Sequence, residues 1–352
     1  MGIFRKREIE VKASEGTHGS ISSAGAVSLA SASVGAGRAR AMQIPTVSRA
    51  RDLLASLVGS LPIRNYGTQW NGEDLEEIPL PPEPWMIRPD QRTTRAHMLA
   101  WTFDDLLFYG RAYWLVTSRY STGFPASFQW LPAELVTFTA QRLVGNVPIS
   151  GYSIQFEGSP LPERDVVVFY GPNDPVLLDG TRAIRTAERL DRAAERFANT
   201  PAAFGWLRQT AGEPMSGDEL ADLAAAWAAA RDENAIAALN EFVEWNESQM
   251  DPTRLQLLEA RQHQALELAR VMNVSPFLVG APSGGSMTYQ NAQMAQAQLA
   301  IDAGPYIDVI EQTLSADSVT PRGHLVRLDR SVWLENSNEA PVMAPETEEA
   351  PA

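Results

Sequence analysis

The sequence predicts an α+β chain in which a mixed lobe of helices and short strands is followed by longer helices. Three observations carry that prediction. Apolar residues recur at spacings of three, four or seven through residues 47–61, 96–110, 255–272 and 307–314, the signature of helices with one buried face. Between them, AYWLVTSRY, FQWL, ELVTF, YSIQF and DVVVFY are short runs rich in β-branched and aromatic residues, cut by Gly, Pro and Asn turns. The composition, 352 residues with 44% hydrophobic and 20% charged, is enough to bury a core and to build two or three lobes.

Residues 1–40 are rich in Ser, Ala and Gly and poor in large apolar groups, so they read as a disordered arm. Arg5, Lys6, Arg7, Lys12, Arg38 and Arg40 against Glu8, Glu10 and Glu15 make it basic, which suits a floppy tail or one that touches a neighbour or nucleic acid. In TVSRARDLLASLVGSLP, Val47, Ala50, Leu54, Leu57 and Leu61 form a helical stripe that Pro62 ends. IRNYG reads as a strand and Trp70 to Pro84 as an acidic, proline-punctuated loop. A helix from about Thr94 places Ala96, Leu99, Phe103, Leu106 and Gly110 on one face, with Gly110 as its left-handed cap.

Residues 180–198 form a helix on which Arg182, Arg185, Arg189, Arg192 and Arg196 make a continuous stripe. Glu188, Asp191 and Glu195 lie within reach of it, which favours a solvated or subunit-bridging face over a nucleic-acid track. Residues 201–260 are the opposite in sign, with three arginines facing eleven acids. There Ser216 or Asp218 caps the helix DELADLAAAWAAAR, and IAALNEFVEWN has strand-like residues. Asp251-Pro252 starts the next helix, which carries Leu255, Leu258, Ala265, Ala269 and Met272 on one face and ends near Asn273 before Pro276. GAPSGGSM, residues 280–287, is a mobile loop. Helix formers resume at about Thr288, with a break expected at Gly304-Pro305, and Ile307, Ile310 and Leu314 continue the stripe. HLVRL reads as a closing strand, and the tail from Glu335, with five glutamates, three prolines and no basic residue, as disordered.

Absences exclude several chemistries. The chain has no Cys, and its lysines are Lys6 and Lys12 alone, so thiol, zinc-thiolate, Schiff-base and Walker-type phosphate-loop chemistry are closed to the folded body. No run of about 18 uncharged apolar residues is present to cross a membrane. MGIFRKREIEVK has no apolar segment behind its basic residues, which argues against a secretory signal and for a cytosolic product, and Lys6 disfavours myristoylation. Glu259, His263 and Glu267 share a helix face, but such stacks are commonly solvent-exposed ion pairs rather than metal sites. Asp104 and Asp105 are neighbours that do not face each other on a helix, and His18, His97 and His324 are isolated. No catalytic residue, metal or cofactor is assigned.

LLEARQHQALELARVMNVSPFLVG, then a flexible loop, TYQNAQ and a helix ending IEQTLS resemble the portal proteins of long-tailed bacteriophages. Weaker similarity runs over residues 42–334 and includes Gly110-Arg111-Ala112-Tyr113 and Leu131-Pro132, as in the family's wing. The chain departs at DVVVFY, where the family has a histidine, and at DGTRAI, where it has Gly-x-Ser-Pro. The resemblance implies the portal fold, with a mixed α/β wing, long stem helices, a small clip, a tunnel loop and little or no crown.

The implied divisions are an arm (1–40), a wing (41–200), a first stem helix region (201–231), a clip (232–250) and a second stem helix (251–275). A tunnel loop (276–288), a channel or wing helix with a closing strand (289–334) and an acidic tail (335–352) complete them. Also implied is a non-catalytic, dodecameric ring at one capsid vertex, made in the host cytoplasm, through which double-stranded DNA is packaged and ejected. Its partners would be the terminase large subunit, a head-tail adaptor and the major capsid protein, with no membrane. Ala281, Pro282, Ser283, Gly284, Gly285, Ser286 and Met287 would line the constriction. Glu241, Phe242, Glu244, Trp245 and Glu247 would form the docking tip, and the arginine stripe a subunit interface. The competing expectations are a head-completion or tail-adaptor ring, and a cytosolic hydrolase using Glu259, His263 and Glu267.

Overall fold

The computed structural model describes residues 37–144, 147–199, 205–212, 214–232, 243–247, 257–281 and 292–331. The N-terminal arm up to residue 36, the Asp251-Pro252 helix start with Leu255, and the acidic tail lie outside the described residues.

Helix α1 (Pro45–Ser60) buries the predicted Val47, Ala50, Leu54 and Leu57 and stops before Pro62. It packs against α2 (Arg95–Tyr109), whose cap Thr94 accepts from the His97 N–H at 3.2 Å and whose end is Gly110 at φ 72°. The close crossing depends on Gly59: a Cβ there would stand 2.8 Å from the Ala96 carbonyl and 3.3 Å from the Ala100 Cβ. Ala96 itself is exposed, because α1 meets its backbone rather than its side chain. Trp85, Phe103, Trp114, Phe128 and Phe169 fill the space between α2 and a three-stranded antiparallel sheet. That sheet has the order β4 (Pro125–Leu131), β3 (Arg111–Arg119), β8 (Val166–Tyr170). A second core of Tyr113, Leu131, Val136, Phe138 and Ile154 joins it to the sheet of β5 (Val136–Val144), β6 (Val147–Phe156) and β7 (Ser159–Leu161).

Residues 70–84 are not a loop. β1 (Ile63–Trp70) and β2 (Leu75–Leu80) form a hairpin, and β11 (His324–Leu328) closes on the other edge of β1 with Ile63 opposite Leu328. The turn is set by Asn71, whose side-chain oxygen accepts from the N–H groups of Glu73 and Asp74 at 3.0 and 2.8 Å, and by Gly72 at φ 107°.

Helix α3 (Thr181–Asn199) follows a short helix, Val176–Asp179. After it, residues 205–209 are a strand rather than part of a stem helix: β9 (Gly205–Gln209) pairs antiparallel with β10 (Val243–Glu247) across α4 (Gly217–Asp232). Ser216 caps α4 reciprocally, its N–H donating to Glu219 at 2.8 Å while its hydroxyl accepts from the Glu219 N–H at 3.3 Å. Helix α5 (Leu257–Val271) lies against α3, and the Gln264 side chain donates to the Ala183 carbonyl at 2.9 Å.

The break expected at Gly304-Pro305 does not occur, since α6 (Ala292–Leu314) runs through Pro305. A proline inside a helix costs about 3 kcal/mol. Here Ala303, Tyr306, Ile307, Ile310 and Leu314 are all buried, and their burial exceeds that cost at about 1.5–3 kcal/mol for each large side chain.

Candidate functional site

Four groups of residues were expected to carry function, and the fold treats them differently. At the end of α5 the backbone turns through Asn273 at φ 53°, and the Val274 N–H reaches back to the Ala269 carbonyl at 2.9 Å. This is the six-to-one bond of a Schellman ending, with Asn in the left-handed position and Val274 buried beneath it. Asp302 on α6 then fixes the turn. One carboxylate oxygen accepts from the Ser275 N–H at 2.8 Å, and the other from the Gln298 amide at 2.8 Å and the Ser275 hydroxyl at 3.3 Å. A single helical turn, Pro276–Val279, ends in left-handed Gly280, and the Ala281 N–H closes back on the Pro276 carbonyl at 2.9 Å.

This foot corrects the expected loop by one residue: Ala281 is 1% exposed, so it is an anchor and not a lining group. Pro282, Ser283, Gly284, Gly285, Ser286 and Met287 lie outside the described residues. Asp302 was not singled out from the sequence, because a lone Asp in a helix carries no local signal.

The arginine stripe is exposed at all five positions, Arg182, Arg185, Arg189, Arg192 and Arg196, while Ile184 and Ala187 bury the opposite face of α3. Its acids do not simply neutralise it in place. Glu188 accepts from two guanidinium nitrogens of Arg40, Nε and Nη2, at 2.9 and 2.6 Å, and that hydrogen bonding holds its carboxyl below the usual range. Arg192 stands farther off at 3.7 Å, and Asp191 pairs across to Arg261 on α5 at 2.9 Å. Among the described residues, Arg182 and Arg189 make no ion pair.

Arg38 and Arg40 thus strap residues 37–41 across the body. Arg38 grips fully buried Asp104 with two bonds of 2.8 and 2.9 Å, Arg51 adds a third at 2.5 Å, and both guanidiniums lie over Trp101 at 5.0 and 4.9 Å. Asp105 points elsewhere, accepting from Trp130 at 2.8 Å and the Ala133 N–H at 3.3 Å. Burial first, and then Asp104, push its carboxyl well above the usual range. The pair is structural, since each carboxylate is committed to donors of the core.

At the β9–β10 pair, Trp245 stands opposite Leu207 and Glu244 opposite Arg208, with Glu244 exposed. Glu247 ends β10 opposite Gly205, and Glu241 and Phe242 lie outside the described residues. The hydrolase constellation does not assemble: Glu259 and His263 are exposed, and Glu267 pairs with Arg270. Among the described residues no group of three acidic or histidine side chains is placed to hold a metal ion, and no helix is long and apolar enough to cross a membrane.

The model of the phage portal protein family matches residues 45–342, most of the chain. The chain belongs to the phage portal protein family. It is 27% identical to a solved HK97-family phage portal protein from Corynebacterium diphtheriae, with a TM-score of 0.67, covering 85% of this chain and 97% of that one. The portal fold is also shared with a chain in the neck of an empty gene transfer agent particle (TM-score 0.54, 14% identity, 88% of this chain and 91% of that one). A chain of the native gene transfer agent virion gives 0.55 and 13%, with the same coverage of 88% and 91%. No curated protein sequence matches. Portal proteins are structural rather than enzymatic, and the foot at Ser275–Ala281, the strap at Arg38 and Arg40 and the β9–β10 pair are portions of a portal subunit.

Proposed function

We propose that twelve copies of this portal chain form a ring at one vertex of the virion capsid, the conduit for double-stranded DNA during packaging and ejection. The single observation that carries this is the family match over residues 45–342, supported by 97% coverage of a solved HK97-family portal chain. Twelvefold symmetry is taken from a gene transfer agent neck solved with C12 symmetry, whose chain shares the fold at a TM-score of 0.52 and 15% identity.

The energy for packaging comes from a separate terminase large subunit, because the body has no lysine for a phosphate-binding loop. The tip around β9 and β10, with Glu241, Phe242, Glu244, Trp245 and Glu247, meets that motor and afterwards the head-tail adaptor. The ring also meets the major capsid protein. Residues 282–287 form the constriction: two adjacent glycines, two serines and one methionine change conformation at little cost and present no cation to grip phosphate. A net charge of −14 over the chain suits a channel through which a polyanion slides, since many cationic contacts would give tight, salt-dependent binding.

The test is a loop shortened by deleting Ser283 to Ser286 in a packaging system. Ring assembly should persist, because the foot through Ala281 is untouched, while the yield of full-length packaged genome should fall. Normal yields of filled heads from that deletion would remove the loop from the mechanism.

A further inference from the structure

The described side chains of α4 are exposed on most sides of the helix. From residue 217 to 227 only Leu223 and Trp227 are half-buried, and Leu220 beside them is 44% exposed. A helix of 16 residues held by so little of its own chain is marginal in water, because helical stability in proteins comes mainly from packing of one face. Something must cover it in the assembled state.

Its faces say what. Leu220, Leu223 and Trp227 follow one another at spacings of three and four on one side. Asp218, Asp222, Ala225 and Ala229 follow at four, three and four on the opposite side, and all four are exposed. That second face is acidic at its N-terminal end and smooth beyond it, a surface that lets another helix approach closely. The complement exists on the same chain. Helix α3 presents its exposed arginine stripe, on which Arg182 and Arg189 have no ion pair among the described residues, while Glu188 is taken by Arg40 and Asp191 by Arg261. The stripe and the acidic face have opposite sign, lie on separate elements and share no side-chain ion pair within the protomer among the described residues.

We infer that the Asp218–Ala229 face of α4 in one copy docks on the Arg182–Arg196 stripe of α3 in the next copy. This rests on the ring proposed above and adds which surfaces close it. Isolated surface ion pairs contribute little, so the contact is specified by register of charge along the helices and completed by the close approach over the alanines. In this arrangement the stripe faces protein and not nucleic acid.

The experiment uses the scarcity of lysine in the chain. Lys6 and Lys12 are the only lysines, so Arg185→Lys with Arg189→Lys keeps the charge and installs two unambiguous amines in the body. Assembled rings of mixed isotope-labelled and unlabelled chains are treated with a zero-length carboxyl-to-amine cross-linker and digested with trypsin. The expected product links positions 185 or 189 of one chain to the peptide 209–231 of another, which contains Asp218 and Asp222. Rings whose inter-chain links reach other acids instead would overturn the pairing while leaving the ring intact. A chain that forms no ring at any concentration would overturn the ring and the pairing together. Charge reversal gives the second arm. Arg185→Glu with Arg189→Glu should lower ring yield several-fold without changing the protomer's melting, and adding Asp218→Arg with Asp222→Arg should restore it. Full ring yield from the first variant alone would also overturn the pairing.

Discussion

Helices α2 and α4 are of nearly equal length, 15 and 16 residues, and their surroundings differ in every other respect. Nine residues of α2 are buried, among them two aspartates, and both aspartates accept hydrogen bonds from donors on other elements. The described side chains of α4 are mostly in solvent, and its N-terminus is capped locally by the Ser216–Glu219 pair. A portal subunit therefore has two kinds of stability. The α2 layer is completed by its own chain, whereas α4 leaves most of its described side chains exposed.

Changes that break the body should have the largest effects. Asp104→Ala leaves the guanidiniums of Arg38 and Arg51, whose side chains are 19% and 15% exposed, without their carboxylate. Removing one partner of a buried ion pair costs about 3–5 kcal/mol, so urea unfolding of the protomer should shift by that amount. Gly59→Ala comes next: the added methyl group meets the Ala96 carbonyl at 2.8 Å, and separating α1 from α2 should cost about 1–3 kcal/mol in the same measurement.

Asp105→Asn should act in the opposite direction at neutral pH. Burial raises the carboxyl of Asp105, so the stability contributed by its protonated form is complete below the ordinary carboxylate range and is lost as pH rises through the raised value. The amide keeps an acceptor for Trp130 and never ionises. Relative to the native chain, the variant should gain stability as pH rises, read as a diverging pair of melting curves. Parallel curves across that range would mean that Asp105 does not carry the charge penalty assigned to it.

Smallest of all should be the effects on the exposed helices. His263→Ala and Leu220→Ser alter side chains that protrude from the protomer, and its unfolding should move by no more than about 0.5 kcal/mol. A larger shift at Leu220 would mean that α4 is already packed within one copy.

What could be read in the sequence follows the same division. Elements with one buried face were legible: the stripe of Val47, Ala50, Leu54 and Leu57 is the buried face of α1, Gly110 is the cap of α2, and HLVRL pairs with β1. β2 was hidden because it is exposed or half-exposed along its whole length and shows no alternation, although Asn71-Gly72 marked its turn. β9 was hidden because Gly205–Gln209 acquires its register only from Val243–Glu247, beyond an intervening helix. The continuity of α6 through Pro305 depends on burial that a local rule cannot weigh. At the foot of the loop, VSPFLVG was legible as a turn, but Asp302, 27 residues beyond Ser275, holds it by a tertiary contact. The strap was missed for the same reason, since Arg38 and Asp104 are 66 residues apart.

The most direct test of the central claim is the mass of the purified chain in solution by light scattering after size exclusion. Twelve copies of 38.5 kDa give a particle of about 460 kDa, in which α4 is covered by a neighbouring copy. A single stable species at 38.5 kDa, unchanged with protein concentration and salt, would contradict it.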